Sequence, residues 1–291
     1  MGLAERDPLT GHMTTGHEWN GITELNTRVP RPVYFFLALA FLFAVVCWVL
    51  LPTWPIGRTY THGLLDTDQR KAVAAAVANM ERVRAAWMSR VADESFVGIT
   101  ADGVLMEKVR EAGHSLFANN CAACHGADAR GNPGFPNLRR KSWLWGGEPE
   151  ILAETVRVGI NSEHPESRQS QMPAFGRDEI LKPEEIRQAI AYVGSLSGRG
   201  ASGAAAADIA AGKELFTANC ASCHGEDGKG NRDMGSRNLT DGSFLYGGDP
   251  ASLYRTVFGG RQGHMPSWSA RLTPVEIKIL ALYVAGLELQ K

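Results

Sequence analysis

The longest apolar stretch of the chain spans residues 33–51, nineteen positions without a charged side chain. As a helix it would extend about 28 Å, close to the roughly 30 Å of a bilayer's hydrocarbon core. Aromatic residues and prolines near both ends are typical of a membrane interface. The pattern predicts one transmembrane helix at 33–51. Its length and the thirty-two residues before it favour a retained anchor over a cleaved signal peptide.

Apolar residues at helical spacing recur in three segments after the anchor. Two of them begin at Pro183 and at Thr273, where proline suits the first helical turn and Thr273 with Glu276 predicts a capping box. The third, at 66–92, predicts an amphipathic helix that packs on its own domain or on a partner subunit. Its apolar positions are Val73, Val77, Met80, Val83, Trp87 and Val91.

The part of the chain after this helix contains an internal repeat. Residues 113–121 match residues 212–220 at an offset of 99, and residues 143–149 match 244–250 at an offset of 101. In each repeat a glycine, Gly113 or Gly212, leads the matched segment and predicts a close helix crossing, with a simple loop glycine as the alternative. Small and polar residues at 197–203, followed by alanines, predict a linker between the two repeats.

A Cys-x-x-Cys-His motif ends the first matched segment of each repeat. Four of the five cysteines fall in the two motifs. The formal net charge of −1 over 291 residues argues against nucleic acid as a partner. In such a motif two thiols attach a haem and the histidine becomes an iron ligand, because positions i, i+3 and i+4 share one helix face. The predicted attachment residues are Cys121, Cys124, Cys220 and Cys223, and the predicted iron ligands are His125 and His224. Zinc or a dithiol redox pair would need no histidine there, and Cys47 in the apolar run is interpreted as an apolar packing residue.

Two Met-Pro pairs supply candidates for the sixth ligand of each iron. Met172 and Met265 lie at corresponding positions between a haem motif and the closing helix, and the following proline holds each methionine in an extended loop. A thioether opposite histidine suits a haem that transfers electrons. His164 and His264 are rival donors. The residues leave open whether each methionine serves the haem of its own repeat or that of the other repeat.

These patterns together predict a mainly α protein with one N-terminal transmembrane helix and two tandem cytochrome c-like haem domains. The predicted ranges are an N-terminal segment at 1–32, the transmembrane helix at 33–51, a connecting region with the amphipathic helix at 52–106, a first haem domain at 107–200 and a second at 201–291.

The chain resembles the dihaem subunit III of cbb3-type cytochrome c oxidases in its single-transmembrane form. The resemblance rests on residues 14–26 before a Pro-Arg-Pro boundary, residues 54–57 after the anchor, and the segments 159–165 and 260–263 ahead of the two methionines. It implies two covalently bound haem c groups, with Met172 and Met265 as ligands, in an electron-transfer subunit that is not itself catalytic.

The resemblance also implies a route for electrons. They would arrive from a quinol–cytochrome c oxidoreductase or a soluble cytochrome c and leave toward the monohaem subunit and the catalytic subunit of the oxidase. The expected location is the bacterial inner membrane, with the N-terminus cytoplasmic and the haem domains periplasmic. The alternatives are a membrane-anchored dihaem subunit of a periplasmic dehydrogenase and a dihaem peroxidase, which needs one open iron position.

Overall fold

The computed structural model describes residues 5–140, 142–198 and 205–289. The chain divides into two compact units, Met1–Arg82 and Val83–Lys291, and the division falls inside a long helix. Most of the predicted linker at 197–203 and the boundary proposed near residue 200 lie outside the described residues. Each unit is described by itself below.

The first unit opens with a β-hairpin, which the sequence analysis did not predict. Strand β1 (Thr14–Trp19) pairs antiparallel with β2 (Ile22–Leu25), and the two-residue turn between them is Asn20-Gly21. Both turn residues have positive φ, 52° and 86°, as a tight type I′ hairpin requires. Trp19 and Ile22 face each other across the end of the ladder, and both are largely exposed.

Helix α1 (Arg31–Leu50) follows and confirms the predicted apolar helix within two residues at its start. Pro32 lies in its first turn and Leu51 leaves it in extended conformation. None of its residues is buried, and within the described parts of the chain it is the one helix long and apolar enough to cross a membrane. A second small hairpin, β3 (Pro55–Ile56) with β4 (Thr59–Tyr60), comes directly after it.

Helix α2 (Gln69–Asp93) is the predicted amphipathic helix, and its apolar residues fall into two groups. Val91 is fully buried and Trp87 packs beside it in the second unit, so this end of the helix packs on the haem-domain part of the chain. The remaining four predicted apolar positions are at least half exposed or close to it: Val73, Val77, Met80 and Val83.

The rest of the second unit is helical, which confirms the mainly α fold. In chain order its helices are α3 (Phe96–Ala101), α4 (Gly103–Asn120), α5 (Ala122–His125), α6 (Pro149–Val158), α7 (Pro183–Leu196), α8 (Ala206–Asn219), α9 (Ala221–His224), α10 (Pro250–Gly259) and α11 (Pro274–Ala285), with a 3₁₀ turn at Gly286–Leu289. The predicted starts at Pro183 and Thr273 are confirmed. Thr273 and Glu276 cap each other's backbone N–H groups at α11, as expected.

The closing helix of each repeat packs against the other repeat. Helix α11, from the second repeat, lies against α4 and α6 of the first, while α7, from the first, lies against α8 and α10 of the second. One core therefore combines Phe117 and Leu152 with Leu280 of α11, and another combines Ile186 of α7 with Leu253. Each lobe consists of the opening elements of one repeat and the closing helix of the other.

The two glycines that lead the repeats lie at these crossings. A Cβ atom added to Gly113 would fall 2.5 Å from the Cβ of Tyr283 in α11, and one added to Gly212 would overlap the backbone oxygen of Gln188 in α7. The predicted close crossings are confirmed, and each is made with the helix of the opposite repeat. Because these glycines have no side chain, α4 and α8 can approach their partner helices closely enough to bury Phe117 and Phe216.

Candidate functional site

The first Cys-x-x-Cys-His motif forms a single helical turn at the end of α4. Cys121 closes α4, since its N–H donates to Phe117 O at 2.8 Å, and it also starts the short helix α5. The N–H groups of Cys124 and His125 both donate back to Cys121 O, at 3.1 and 2.9 Å. Gly126, with φ of 79°, ends the turn. The two cysteines and the histidine are thus held on one compact turn, as haem attachment requires.

The second motif repeats this geometry at the end of α8. Cys220 N–H donates to Phe216 O at 2.8 Å, the N–H groups of Cys223 and His224 donate to Cys220 O at 3.2 and 2.9 Å, and Gly225 ends the turn with φ of 77°. Two stretches that share only part of their sequence therefore fold into the same ligand-presenting turn. The duplication predicted from sequence extends to the site itself.

Each histidine ring is oriented by a backbone carbonyl. His125 Nδ1 donates to Pro136 O at 3.2 Å, and His224 Nδ1 donates to Arg237 O at 2.9 Å. This bond fixes the tautomer and leaves Nε2 available as a metal ligand. Burial lowers the pKa of both imidazoles, against the weaker opposite effect of these hydrogen bonds. The neutral form, which ligates iron, is therefore favoured.

The first cysteine of each motif is partly buried. Burial, with a smaller contribution from the second cysteine, raises the pKa of Cys121 and of Cys220 to about 11. Both thiols are accordingly protonated near neutral pH before any attachment. Cys121 packs on the core that contains α11, next to Ala122. Cys47, in α1, lies far from these motifs in sequence and is a free, partly exposed cysteine.

We call the lobe that carries His125 the first lobe and the one that carries His224 the second lobe. Met172 lies in the second lobe, although it belongs to the first repeat. It packs on the core formed by Phe175, Ile186 and Leu253, where Leu215 of α8 also contributes. Its N–H donates to Arg261 O at 2.8 Å, and Arg261 N–H donates back at 3.0 Å. The chain of Met172 is therefore fastened just beyond α10, in the lobe that carries His224.

Met265 lies with the first lobe in the same way. Its N–H and carbonyl form two bonds with Ile160, each 2.9 Å long, just beyond α6. Three residues later Trp268 N–H donates to Val156 O at 3.1 Å, and Trp268 packs on the core that includes Cys121. The two methionine loops are exchanged between the lobes together with the closing helices.

The rival histidines are placed differently from the two methionines. His164 Nδ1 accepts the N–H of Glu166 at 3.1 Å within its own loop, and His264 is exposed beside Met265. A ring that is already used in a local turn, or that lies in solvent, is a poorer candidate for a buried iron than the partly buried Met172 and Met265.

Three buried nitrogen atoms could donate to a further group. Across residues 5–140, 142–198 and 205–289, the buried side-chain atoms that lack a hydrogen-bond partner are Trp145 Nε1, Arg168 Nε and Arg237 Nε. All are donors, and two belong to cations, so they fit an anionic acceptor. A porphyrin carries two carboxylates, and haem therefore suits this donor set as well as the cysteine and histidine turns. The sequence analysis did not single out these three residues, because burial of a nitrogen atom without a partner has no signal in the sequence.

Comparison with protein families assigns matches to three parts of the chain. Residues 11–58 match the N-terminal domain of cytochrome oxidase-cbb3, FixP; residues 110–197 match cytochrome c; and residues 207–284 match cytochrome c oxidase, cbb3-type, subunit III. The first match covers the unpredicted hairpin and the apolar helix, and the other two cover the repeats.

Full-length relatives carry the same description. The chain is 43% identical to the cbb3-type cytochrome c oxidase subunit FixP of Bradyrhizobium sp. (strain ORS 278) over 284 residues, which cover 98% of this chain and 97% of that protein. It is 39% identical to the subunit CcoP of Azospirillum brasilense, covering 99% of both chains, and 40% identical to the subunit CcoP of Cereibacter sphaeroides, covering 94% of both.

Proposed function

This chain belongs to the subunit III family of cbb3-type cytochrome c oxidases, and from that premise we propose that it passes electrons through two covalently bound haem c groups toward the oxygen-reducing subunit. Its place in an oxidase complex, its electron-transfer function and its binding of haem c follow from the family. A bound haem supplies one-electron chemistry, because its iron alternates between two oxidation states.

The observation that carries the proposal is the duplicated ligand turn. In both lobes the turn places two cysteines and a histidine on one face, and a carbonyl holds the imidazole with Nε2 free. Cys121 and Cys124 attach one haem, and Cys220 and Cys223 attach the other. His125 and His224 are the proximal iron ligands.

We assign the sixth ligands across the repeats. Met265 serves the haem of His125, because its loop is bonded to Ile160 and its closing helix packs on α4, which leads into Cys121. Met172 serves the haem of His224, because it packs with Leu215 of α8, which leads into Cys220. The alternative left open by the sequence, in which each methionine serves its own repeat, would require both loops to leave these contacts.

With one histidine and one methionine as ligands, each iron would have no open position for oxygen, which suits electron transfer and not oxygen reduction. Electrons enter from a quinol–cytochrome c oxidoreductase or a soluble cytochrome c and leave toward the monohaem and catalytic subunits. The protein would contribute ligands held in place by the fold, so that a bound iron could change oxidation state with little rearrangement.

The chain crosses the membrane once, with α1 as its anchor. Attachment of haem to this motif takes place outside the cytoplasm, so the repeats lie in the periplasm and residues 1–32 in the cytoplasm. The ranges 107–200 and 201–291 are each one cytochrome c repeat, and their closing helices are exchanged in the folded lobes.

Purification of the tagged full-length chain from membranes tests the function. We expect two haems per chain, two low-spin six-coordinate irons in both oxidation states, and co-purification of a copper-containing catalytic subunit and a monohaem cytochrome. Oxygen uptake with a reduced electron donor should fall when Met265 is replaced by a non-ligand residue, while the copper-containing subunit is retained.

Two other outcomes would contradict the proposal. Co-purification with a dehydrogenase in place of the oxidase subunits would point to the periplasmic dehydrogenase alternative. One high-spin iron that reacts with hydrogen peroxide would point to the dihaem peroxidase. The curated relatives, which are oxidase subunits over their full length, favour neither alternative.

A further inference from the structure

Two of the three unpartnered donors are in direct contact, and one of them touches the loop that carries the third. The guanidinium of Arg168 stacks over the ring of Trp145, 5.0 Å from its centre. The same ring covers Gly235, where an added Cβ would overlap it, and Arg237 follows two residues later. The carbonyl of Arg237 is the group that orients His224. Residues 235–237 therefore link the Arg168–Trp145 pair to the carbonyl that orients the histidine of the second motif.

The corresponding positions of the first site are equipped differently. Arg261 stacks over Tyr246 at 4.3 Å, as Arg168 does over Trp145, but its Nε and Nη2 already donate to Thr256 Oγ1 at 3.1 and 3.0 Å. The residue that orients His125 is Pro136, which has no side-chain donor. The cluster of free donors is thus present at the second site without an equivalent among the described residues of the first.

Burial of the Nε atoms of these two cations without an acceptor would cost free energy of folding. Burial lowers the pKa of Arg237, and nearby Arg140 lowers it further, against a partial opposing effect of Asp241. Asp241 itself accepts bonds from Ser142 Oγ at 2.6 Å and Ser243 N at 2.8 Å. Burial likewise lowers the pKa of Arg168, against an opposing effect of Glu154. The Nε atoms of Arg168 and Arg237 are buried without an acceptor, and this favours a further acceptor beside them.

We infer that Arg237, Trp145 and Arg168 bind the carboxylate groups of the porphyrin attached at Cys220 and Cys223. The inference rests on the proposed function, since it needs a haem at that site. Arg168 and Arg237 supply the positive charge, and Trp145 donates one neutral N–H. Among the described residues, no further buried side-chain donor without a partner is present for the porphyrin attached at Cys121 and Cys124.

The cluster should raise the reduction potential of one haem selectively. A carboxylate close to the iron stabilises the oxidised form, and a guanidinium bound to that carboxylate offsets its charge. The two haems have the same types of iron ligand, so a difference in the donors bound to their carboxylates would make their reduction potentials differ. These three residues are positioning residues: they act on the iron through the carboxylates.

Potentiometric titration of the full-length protein with both haems bound tests the inference. Arg237→Met should lower the midpoint potential of one haem and leave the other unchanged, whereas Arg237→Lys should restore most of the loss. Trp145→Phe and Arg168→Met should lower the potential of the same haem. A Cys220→Ala background identifies it, because a haem with one thioether keeps a vinyl group and absorbs at longer wavelength.

Arg232→Met is the matched control. Arg232 lies on the same loop as Arg237, is 64% exposed and pairs with Glu148 at 3.1 Å, so its loss should move neither potential. Unchanged potentials in Arg237→Met and Trp145→Phe, with two low-spin haems still present, would overturn the inference alone, as would a shift confined to the haem of His125. A chain that binds no haem would instead overturn the proposed function. If Arg237→Met loses a haem, Trp145→Phe decides, because it removes one N–H and keeps the ring.

Discussion

Met265 and Ile160 form both possible main-chain hydrogen bonds with each other, at 2.9 Å in each direction, across 105 residues of sequence. Gly159 precedes Ile160 with φ of 73°, and an added Cβ there would overlap the carbonyl of Met265. Met172 and Arg261 form the matching pair in the other lobe. Each methionine loop is thereby bonded just beyond a helix of the opposite repeat, and these reciprocal bonds support the proposed exchange of the two methionines.

Replacement of Met265 by histidine tests this exchange. We expect the haem of His125 to fall in potential by an amount on the order of 0.1–0.2 V, within the roughly 0.8 V that axial ligation covers, because imidazole stabilises oxidised iron better than a thioether does. Met172→His should do the same to the haem of His224. Redox titration followed at the shifted band of a Cys220→Ala background distinguishes the two haems.

Met234→His serves as the control for the ligand test, since Met234 is 47% exposed and should leave both potentials in place. A fall in the potential of the His224 haem on replacing Met265 would mean that each methionine serves its own repeat.

The helix crossings at Gly113 and Gly212 should tolerate no side chain. Gly113→Ala pushes a methyl group into Tyr283, and Gly212→Ala pushes one into the backbone of Gln188, so each should lower the free energy of unfolding by about 1–3 kcal/mol. Gly103→Ala, in open space at the start of α4, should be neutral. Thermal unfolding monitored by circular dichroism measures all three variants. Equal stability of Gly113→Ala and Gly103→Ala would contradict the close crossing.

Local patterns of sequence predicted much of this fold. The apolar run predicted α1, and the cap at Thr273 predicted the start of α11. The two haem motifs predicted turns, and in the structure these turns have the same pattern of main-chain hydrogen bonds. Each of these depends on residues within a few positions of one another. The exchange of closing helices depends on contacts between distant segments with similar apolar faces, and either pairing would satisfy the hydrophobic pattern of α7 and α11.

The missed hairpin has a different explanation. Asn20-Gly21 between two short β-prone segments is a strong hairpin signal, but β1 is mostly polar, so the pattern of apolar residues did not mark a strand there. The donor cluster at Trp145 was not predictable at all, because arginine and tryptophan are ordinary residues until the structure shows their nitrogens buried without a partner.

Stability at acid pH should depend on Asp102. Its carboxylate accepts the N–H groups of Leu105 and Val104 at the start of α4 and pairs with Arg90 of α2 at 2.8 Å. The hydrogen bond from Leu105, followed by that from Arg90, lowers the pKa of Asp102. Its stabilising effect is therefore complete above the unfolded value of about 3.9 and is lost as the pH falls through the lower folded value.

Comparison of the native chain with Asp102→Ala by denaturant unfolding checks this. The variant should be less stable near neutral pH, and the difference should shrink toward zero as the medium is acidified below pH 4. Asp93→Ala removes an exposed carboxylate nine positions earlier and should show no such convergence. A difference that stayed constant over this range would rule out the charge of Asp102 as its source.

Thr273 belongs to the second repeat, but loss of its cap on α11 should destabilise helices of the first repeat. Thr273→Ala removes the acceptor for Glu276 N–H and should cost about 1 kcal/mol. Because α11 packs on α4 and α6, amide hydrogen exchange should accelerate there and remain unchanged in α8 and α10.

Asp249→Ala provides the reciprocal case, since Asp249 caps α10 by accepting Ser252 N–H at 2.9 Å. Helix α10 packs on α7, so exchange should accelerate in these two helices and not in α4. If Thr273→Ala instead loosened α8 and α10, each repeat would be closing on its own last helix. The assignment of Met265 to the haem of His125 would then lose its support, because the loop that carries this methionine leads directly into α11.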